Sequence, residues 1–298
     1  PKSALKLIQG DGSIGSKLIS FDHISGVAFT GSSATAKKIN LQLAKKDGPI
    51  SSLIAETGGL NAMFIDSSSL LEQVVDDIMR SSFNSAGQRC SALRLAIIHE
   101  SIFDDLVEMI KDAMAELTVG NPEDFHCDVG PIIDEKSRDV LLEYISECSN
   151  TGYEVFSHNQ APDGNFVSPT LIELNSIDEI NEEKFGPILH IIKYKTDELD
   201  QILIALKNKQ YGLTMGVHSR IESKADDIIN KSIAGNTYIN RDIVGAVVGS
   251  QPFGGTGLSG TGFKAGGPNY LLQFVDERSI TKNTVAFGGN AEILNLED

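Results

Sequence analysis

The sequence predicts an α/β fold organised around a largely parallel sheet. The main observation is an alternation. Short apolar runs of strand length change places with segments whose apolar residues recur at three and four positions, from Val27 to Asn240. The chain is also large enough to support such a fold, with 298 residues of which 41% are hydrophobic, so it can bury a substantial core in one large or two ordinary domains. Finally, neither internal repeats nor disordered linkers interrupt the pattern.

The opening stretch, "PKSALKLIQGDGSIGSKLIS", carries no capping signal and reads as the middle of a longer arrangement. "GVAFTGSSATAKKINLQLAKK" then reads as a short strand (Val27 to Phe29), a small-residue turn at Gly31 to Ser33, and a helix ending near the lysines. "SLIAE" and "NAMFID" are expected strands separated by Thr57-Gly58-Gly59, and "LLEQVVDDIMRSSF" has helical spacing. "LRLAIIHE", "FVSPTLIEL", "PILHIIKYK", "LTMGVHS" and "GNTYIN" are further strands. "IFDDLVEMIKDAMAEL", "EKSRDVLLEYISEC", "ELDQILIALKNKQ" and "ESKADDIINK" are the helices between them. After Gln251 comes "PFGGTGLSGTGFKAGGP", a Gly-rich loop read as functional because long structureless loops are uncommon inside compact domains. The following "YLLQFVDERSITKN" looks like a strand.

Charge narrows the function classes. Asp and Glu total 41 against 25 Lys and Arg, a formal charge of −16 that repels nucleic-acid backbones and anionic membranes. No apolar run approaches the roughly 20 residues of a membrane span, and no signal-peptide pattern opens the chain, so a cytoplasmic location is expected. Three cysteines imply no disulfide framework and suit a reduced thiol at Cys90.

Several residues are candidates for chemistry. Cys90, in "SAGQRCSALR", has Cys127 as its nearest other cysteine, 37 positions on, so a metal site is not expected. It is either a buried small hydrophobe or a reactive thiol. The turn at Gly31 and Ser32 opens a helix whose free N–H groups suit a phosphate, although an N-cap serine alone explains it equally. Glu56, at a strand end before two glycines, is a general base or an exposed strand-end charge. Glu183, in "EEKFGP", is a hydroxyl-binding carboxylate or a solvated one. The histidines at 23, 99, 126, 158, 190 and 218 form no HxxxH or HxH pair. A Cys-His hydrolase or acyltransferase would therefore need a distant histidine to fold back on Cys90. A catalytically silent scaffold is a third possibility.

"FTGS", "AETGG", "GQRCSA", "EEKFGP" and "QPFGGTGLSGTG", in this order, resemble the aldehyde dehydrogenase superfamily. The interval of 34 residues between Glu56 and Cys90 fits the general base and nucleophile of that family. "GQRCSALR", "GAVVGSQPFGG", "GTGFKAGGP" and "NTVAFGGNAEILNL" further resemble the dehydrogenase module of the bifunctional proline utilization A family. That module oxidises L-glutamate γ-semialdehyde to L-glutamate. The resemblance implies a three-layer α/β fold with a mostly parallel sheet. Residues 1–57 would be a remnant of the NAD-binding domain and 58–250 the catalytic domain. Residues 251–298 would form the Gly-rich loop and a C-terminal segment serving oligomerisation and the cofactor domain.

By the same resemblance, Cys90 attacks the aldehyde and Glu56 activates the water that hydrolyses the thioester. Gly31 and Ser32 contact the NAD pyrophosphate, Glu183 holds ribose hydroxyls, and Phe185 packs near the nicotinamide ribose. Ser91, Gly245 and Ala246 hold the substrate carboxylate, while Phe253 walls its aliphatic chain. No metal is implied. A homo-oligomer is expected, and FAD would enter only through a covalently linked proline dehydrogenase domain. Family members continue upstream with more of the dinucleotide-binding sheet, an oxyanion-binding asparagine and a ribose-binding lysine. The chain is thus expected to be the C-terminal part of a module and inactive by itself.

Overall fold

The polar, glycine-rich opening contains a helix, α1 (Gly12–Ile19), because Asp11 caps it by accepting the Ser13 N–H. The expectation that this stretch lacks a capping signal is therefore corrected: an aspartate before small residues supplies one. The computed structural model describes residues 1, 3–157, 160–247, 249–283 and 286. His158, Val248 and nearly all of "NTVAFGGNAEILNL" lie outside the described residues.

Strand β1 (Gly26–Thr30), helix α2 (Ser33–Ala44) and strand β2 (Ser52–Glu56) form one parallel crossover unit, with Thr30 opposite Glu56. Ser32 ends the turn after β1 and caps α2, its Oγ accepting the Thr35 N–H at 3.2 Å.

A second, seven-stranded sheet holds the core. Its elements are β3 (Ala62–Ile65), α3 (Leu71–Phe83), β4 (Leu95–His99), α4 (Phe103–Ala115), α5 (Glu135–Thr151), β5 (Glu154–Ser157), β6 (Thr170–Glu173) and β7 (Ile188–Tyr194). It continues through α6 (Leu199–Asn208), the short β8 (Tyr211–Gly212), β9 (Thr214–His218), α7 (Glu222–Lys231) and β10 (Asn236–Ile239). The strand order is β10-β9-β3-β4-β7-β6-β5, parallel except for β5, which runs antiparallel to β6. Successive side chains of a strand point to opposite faces, yet every residue of β3 and β9 is buried. Both faces of the sheet are therefore covered, which is the three-layer arrangement expected of a parallel sheet.

The chain then returns to the first unit. β11 (Thr256–Gly257) pairs antiparallel with β8, and Gly260 bridges to Glu56. Thr57 N–H donates to Ser259 O at 3.0 Å and Thr261 N–H to Ala55 O at 3.1 Å, so the Gly-rich stretch lies along the end of β2. The strand expected at "YLLQFVDERSITKN" is not formed among the described residues. Tyr270–Phe274 makes a 3-10 turn instead, with Leu271, Leu272 and Phe274 exposed. Apolar content gave this segment the look of a strand, but it finds no neighbouring strand to pair with.

Candidate active site

Cys90 sits on a sharply reversed connection between α3 and β4. Three consecutive residues of this connection are left-handed: Ser85 (φ 56), Ala86 (φ 53) and Gly87 (φ 64). Held in that region, the first two cost about 1–3 kcal/mol each, a strain that clusters at functional sites. Gly87 is required on a second count, because a Cβ there would overlap the Gly186 carbonyl oxygen.

Buried polar groups hold the turn. Asn61, just before β3, donates from Nδ2 to the carbonyls of Cys90 (2.7 Å) and Ala92 (2.8 Å), and its Oδ1 accepts the Thr214 N–H at 3.1 Å. Ser81, on α3, accepts the Leu93 N–H at its carbonyl (2.9 Å) and the Ile243 N–H at its hydroxyl (3.1 Å). One helix residue thereby anchors both the Cys90 turn and the loop carrying Gly245 and Ala246.

Cys90 is half-buried. Burial pushes its thiol up from the ordinary value, and the charges of Glu183 and Glu56 push the same way. The N–H groups of Ser91 and Cys90 oppose them by turning toward the sulfur. The resting group is thus a neutral thiol with two carboxylates inside its field.

Glu56 ends β2. Burial raises its carboxyl to about 7, against the Gly255 N–H, which reaches Oε2 at 3.2 Å, and the charge of Lys264. A carboxyl poised near neutrality suits a general base.

Glu183 is 15% exposed and its ion-pair partner Arg94 is 1% exposed, with Nη2 3.2 Å from Oε1. Burial raises the Glu183 carboxyl, opposed by Arg94 and the Gly59 N–H. This carboxylate comes so close to Gly58 that a Cβ at that position would overlap Oε2. Phe185 is 45% exposed, with its ring 5.3 Å from the Arg94 guanidinium.

The remaining predicted residues surround this centre. Gly31 N–H donates to the Glu56 carbonyl at 3.1 Å, so the turn before α2 adjoins the base through the main chain. Ser33 Oγ and Thr57 Oγ1 both donate to Leu258 O, which ties the start of α2 to the Gly-rich loop. Ser91 is buried and its carbonyl accepts from Thr214 Oγ1 at 3.4 Å. Gly245 (φ 73) is exposed and Ala246 half-buried, and their N–H groups have no acceptor among the described residues. No hydrogen bond joins Ser91 to either. Phe253 is half-buried, bridged to Ala265 and bracketed by Asn236, which donates to Pro252 O (2.8 Å) and accepts the Gly254 N–H (3.1 Å).

No described histidine hydrogen-bonds Cys90. His190 is buried and held neutral, its pKa lowered to about 4 by burial. Its Nδ1 lies 3.0 Å from Arg94 O, an acceptor only, so Nδ1 carries the proton and Nε2 accepts from Tyr144 Oη at 2.8 Å. His218 is buried beside Asp77, and burial lowers its pKa also to about 4.

Sequence reasoning missed Asn61, Ser81, Arg94 and Asn236, because each acts on main-chain atoms distant in sequence. It also passed over Gly10, Gly12 and Gly15, whose G-x-G-x-x-G spacing opens α1. α1 is fastened to α2 through Ser16 and Gln42. That spacing is a signal a motif scan finds, although no strand precedes it among the described residues.

The aldehyde dehydrogenase family matches residues 1–280. The bifunctional protein PutA of Klebsiella aerogenes is 43% identical over 290 residues, covering 93% of the chain and 22% of that protein. A crystal structure of a bifunctional proline utilization A (PutA) protein superposes with a TM-score of 0.92 at 50% identity, over 97% of this chain and 29% of the other. A 1-pyrroline-5-carboxylate dehydrogenase from Thermus, solved with bound NAD, gives a TM-score of 0.83 at 29% identity, over 90% of this chain and 52% of the other. The chain thus spans between about a fifth and a third of the PutA proteins and about half of the stand-alone dehydrogenase.

Proposed function

The chain belongs to the aldehyde dehydrogenase family, and on that premise we propose that it is the C-terminal part of an NAD-dependent L-glutamate γ-semialdehyde dehydrogenase. The protein would carry out the second step of proline catabolism. Residues 1–57 belong to the NAD-binding domain, whose last strand carries Glu56, 58–250 form the catalytic domain, and 251–298 serve the Gly-rich loop, the cofactor domain and subunit association. The observation that carries this reading is the pairing of Cys90 with Glu56. A thiol and a carboxyl poised near pH 7 share one electrostatic field, under a Gly-rich loop that donates to the carboxylate.

The residues fit the cofactor. The N–H groups of Ser33 and Ala34, in the first turn of α2, have no acceptor among the described residues and face no acidic side chain within that turn. They suit a pyrophosphate beside Gly31 and Ser32. The Glu183 carboxylate, with lone pairs left beyond Arg94 and Gly59, suits ribose hydroxyls, and the exposed Phe185 ring suits the flank of the same sugar. NAD, when bound, accepts the hydride.

The chemistry of the chain's own groups follows from their charges. Both carboxylates disfavour a thiolate at Cys90, so its proton is released to solvent only as the sulfur attacks. The sulfur adds to the aldehyde carbon and forms a C–S bond, the carbonyl electron pair moving to oxygen, where the Cys90 N–H stabilises it. When the oxygen pair reforms the carbonyl, the C–H bond breaks with its electron pair and a thioester remains on Cys90. Glu56, in its ionised form, takes a proton from water. The water oxygen adds to the thioester carbon, the C–S bond breaks with its electron pair on sulfur, which takes up the proton that Glu56 holds, and the acid loses its remaining proton to solvent and leaves as a carboxylate. Gly245 and Ala246 offer N–H donors to the substrate carboxylate, which needs no cation there. Ser91 adds a hydroxyl, and Phe253 covers the methylenes.

The same reading carries a cytoplasmic homo-oligomer. Its likeness to bifunctional PutA proteins supports a proline dehydrogenase domain covalently linked in the complete protein, and only that domain would hold FAD. The Cys-His hydrolase alternative loses support, since no described histidine hydrogen-bonds Cys90 and His190 is bonded to Arg94 O and Tyr144 Oη instead. The test is Cys90→Ala in the complete protein, followed by NADH absorbance with the semialdehyde and by titration with NAD. Oxidation should fall to background while NAD binding stays within about twofold; retained turnover would refute the nucleophile.

A further inference from the structure

Arg94 is the most deeply buried charged side chain of the centre, and neither the nucleophile nor the general base explains it. It opens the approach to β4 four residues after Cys90, and its guanidinium reaches three different segments. Nη2 donates to the Arg89 carbonyl at 3.2 Å, immediately before Cys90. The same nitrogen lies 3.2 Å from Glu183 Oε1, and Nη1 donates to the Gly186 carbonyl at 3.1 Å. The guanidinium also stacks toward the Phe185 ring. Its main chain is equally constrained: the N–H donates to Asn61 O at 2.9 Å and the carbonyl accepts from His190 Nδ1. On the other side of the 182–186 loop, Lys184 lies 4.3 Å from the Tyr144 ring, whose hydroxyl bonds His190. That loop is thus held by Arg94 on one flank and by Tyr144 on the other.

A buried arginine is retained only where its partners offset its desolvation, and here the planar fork spans oxygens that a point charge cannot span together. We propose that Arg94 is a positioning residue that presents Glu183 to the cofactor ribose and locks the 183–186 loop to the Cys90 turn. The reactive sulfur and the cofactor-binding carboxylate then keep one fixed relation through the catalytic cycle. The ribose half of this inference rests on the proposed function; the mechanical link between the two loops does not.

Two measurements separate these halves. In the complete protein, Glu183→Gln and Arg94→Met are compared singly and together by steady-state kinetics. Arg94→Met should raise the KM for NAD at least tenfold when Glu183 is present and less than twofold in the Glu183→Gln background. Equal losses in both backgrounds would mean that Arg94 does not act through Glu183, and the proposal would fail. If Glu183→Gln leaves the KM for NAD unchanged, the ribose assignment fails, and the second measurement still decides the link.

That measurement is amide hydrogen exchange without cofactor. The Gln88, Ala92, Gly186 and Ile188 N–H groups are all hydrogen-bonded in the two loops. Arg94→Met should speed exchange in both segments together, whereas Glu183→Gln should speed it only around 183–188. Release of one segment alone in Arg94→Met overturns the link. Arg94→Lys, which keeps the charge and loses the fork, replaces Arg94→Met if that variant is insoluble, with the same outcomes expected.

Discussion

The charges of two glutamates act on one sulfur, and their partners separate their roles. Glu56 has only a backbone N–H and a more distant lysine against its burial, which leaves the carboxyl at about 7 and able to exchange protons at working pH. Glu183 has a guanidinium at 3.2 Å, which suits a carboxylate that binds rather than one that transfers protons. The pH dependence follows with a definite sign. A carboxyl raised to about 7 is protonated below that value and cannot take a proton from water, so thioester hydrolysis should rise with pH through about 7 and level above it. Lys264 opposes the raising, so Lys264→Met should move the rise to higher pH. Glu56→Gln should remove the rise and slow hydrolysis by about 10²–10⁴-fold, leaving a burst of NADH before a slow steady state in rapid mixing. A uniform slowing of both phases would make Glu56 structural. The residue types at Cys90 and Glu56 were legible from the sequence, because their chemistry is written in the side chain and its immediate neighbours. Asn61 and Ser81 were not, since an amide or hydroxyl that bonds main chain 29 or more positions away leaves no local pattern.

The elements that build the centre differ in how they can be read. β3, β4, β7 and β9 are apolar runs whose burial comes from both faces, and the helices between them keep their apolar spacing, so each is found where the sequence places it. β5 escaped notice because it is a short edge strand of mixed polarity, and β8 and β11 because two residues carry no period. The connection from α3 to Cys90 is the element on which the centre depends most. Its left-handed run brings the Cys90 turn against Gly186, and Gly87 alone can occupy its position there. Gly87→Ala should therefore lower stability by about 1–3 kcal/mol, through both its φ and the overlap with the Gly186 carbonyl. It should also cost activity beyond that stability loss, because relief of the overlap parts the Cys90 turn from the 183–186 loop. Denaturant unfolding with kcat measured well below the melting temperature checks both, and a variant of full stability and full activity would show that the turn relaxes freely.

At the scale of the whole molecule, the β1–β2 sheet and the seven-stranded sheet are unequally complete. The seven-stranded sheet has both faces covered and carries nearly the whole buried cluster. The β1–β2 pair has no further strand beside β1 among the described residues, and exposed apolar side chains, Phe21, Leu41 and Ile50, stand in the segments that flank its strands in sequence. A two-stranded unit is marginal without more strands or a covering layer. Gly31 and Ser32 are mounted on this unit, whereas Cys90, Ser91 and Glu183 are mounted around the larger sheet. Cofactor affinity and nucleophile geometry therefore depend on parts of different stability. The 298-residue chain, expressed alone, should then fold around the larger sheet yet bind NAD no better than millimolar and give no turnover with the semialdehyde. Hydrogen exchange should be fast through β1, α2 and β2 and slow through β3, β4 and β7. Calorimetric titration with NAD and an absorbance assay on the purified chain decide the matter, since saturable micromolar binding with turnover would mean that the β1–β2 unit is self-sufficient as a cofactor platform.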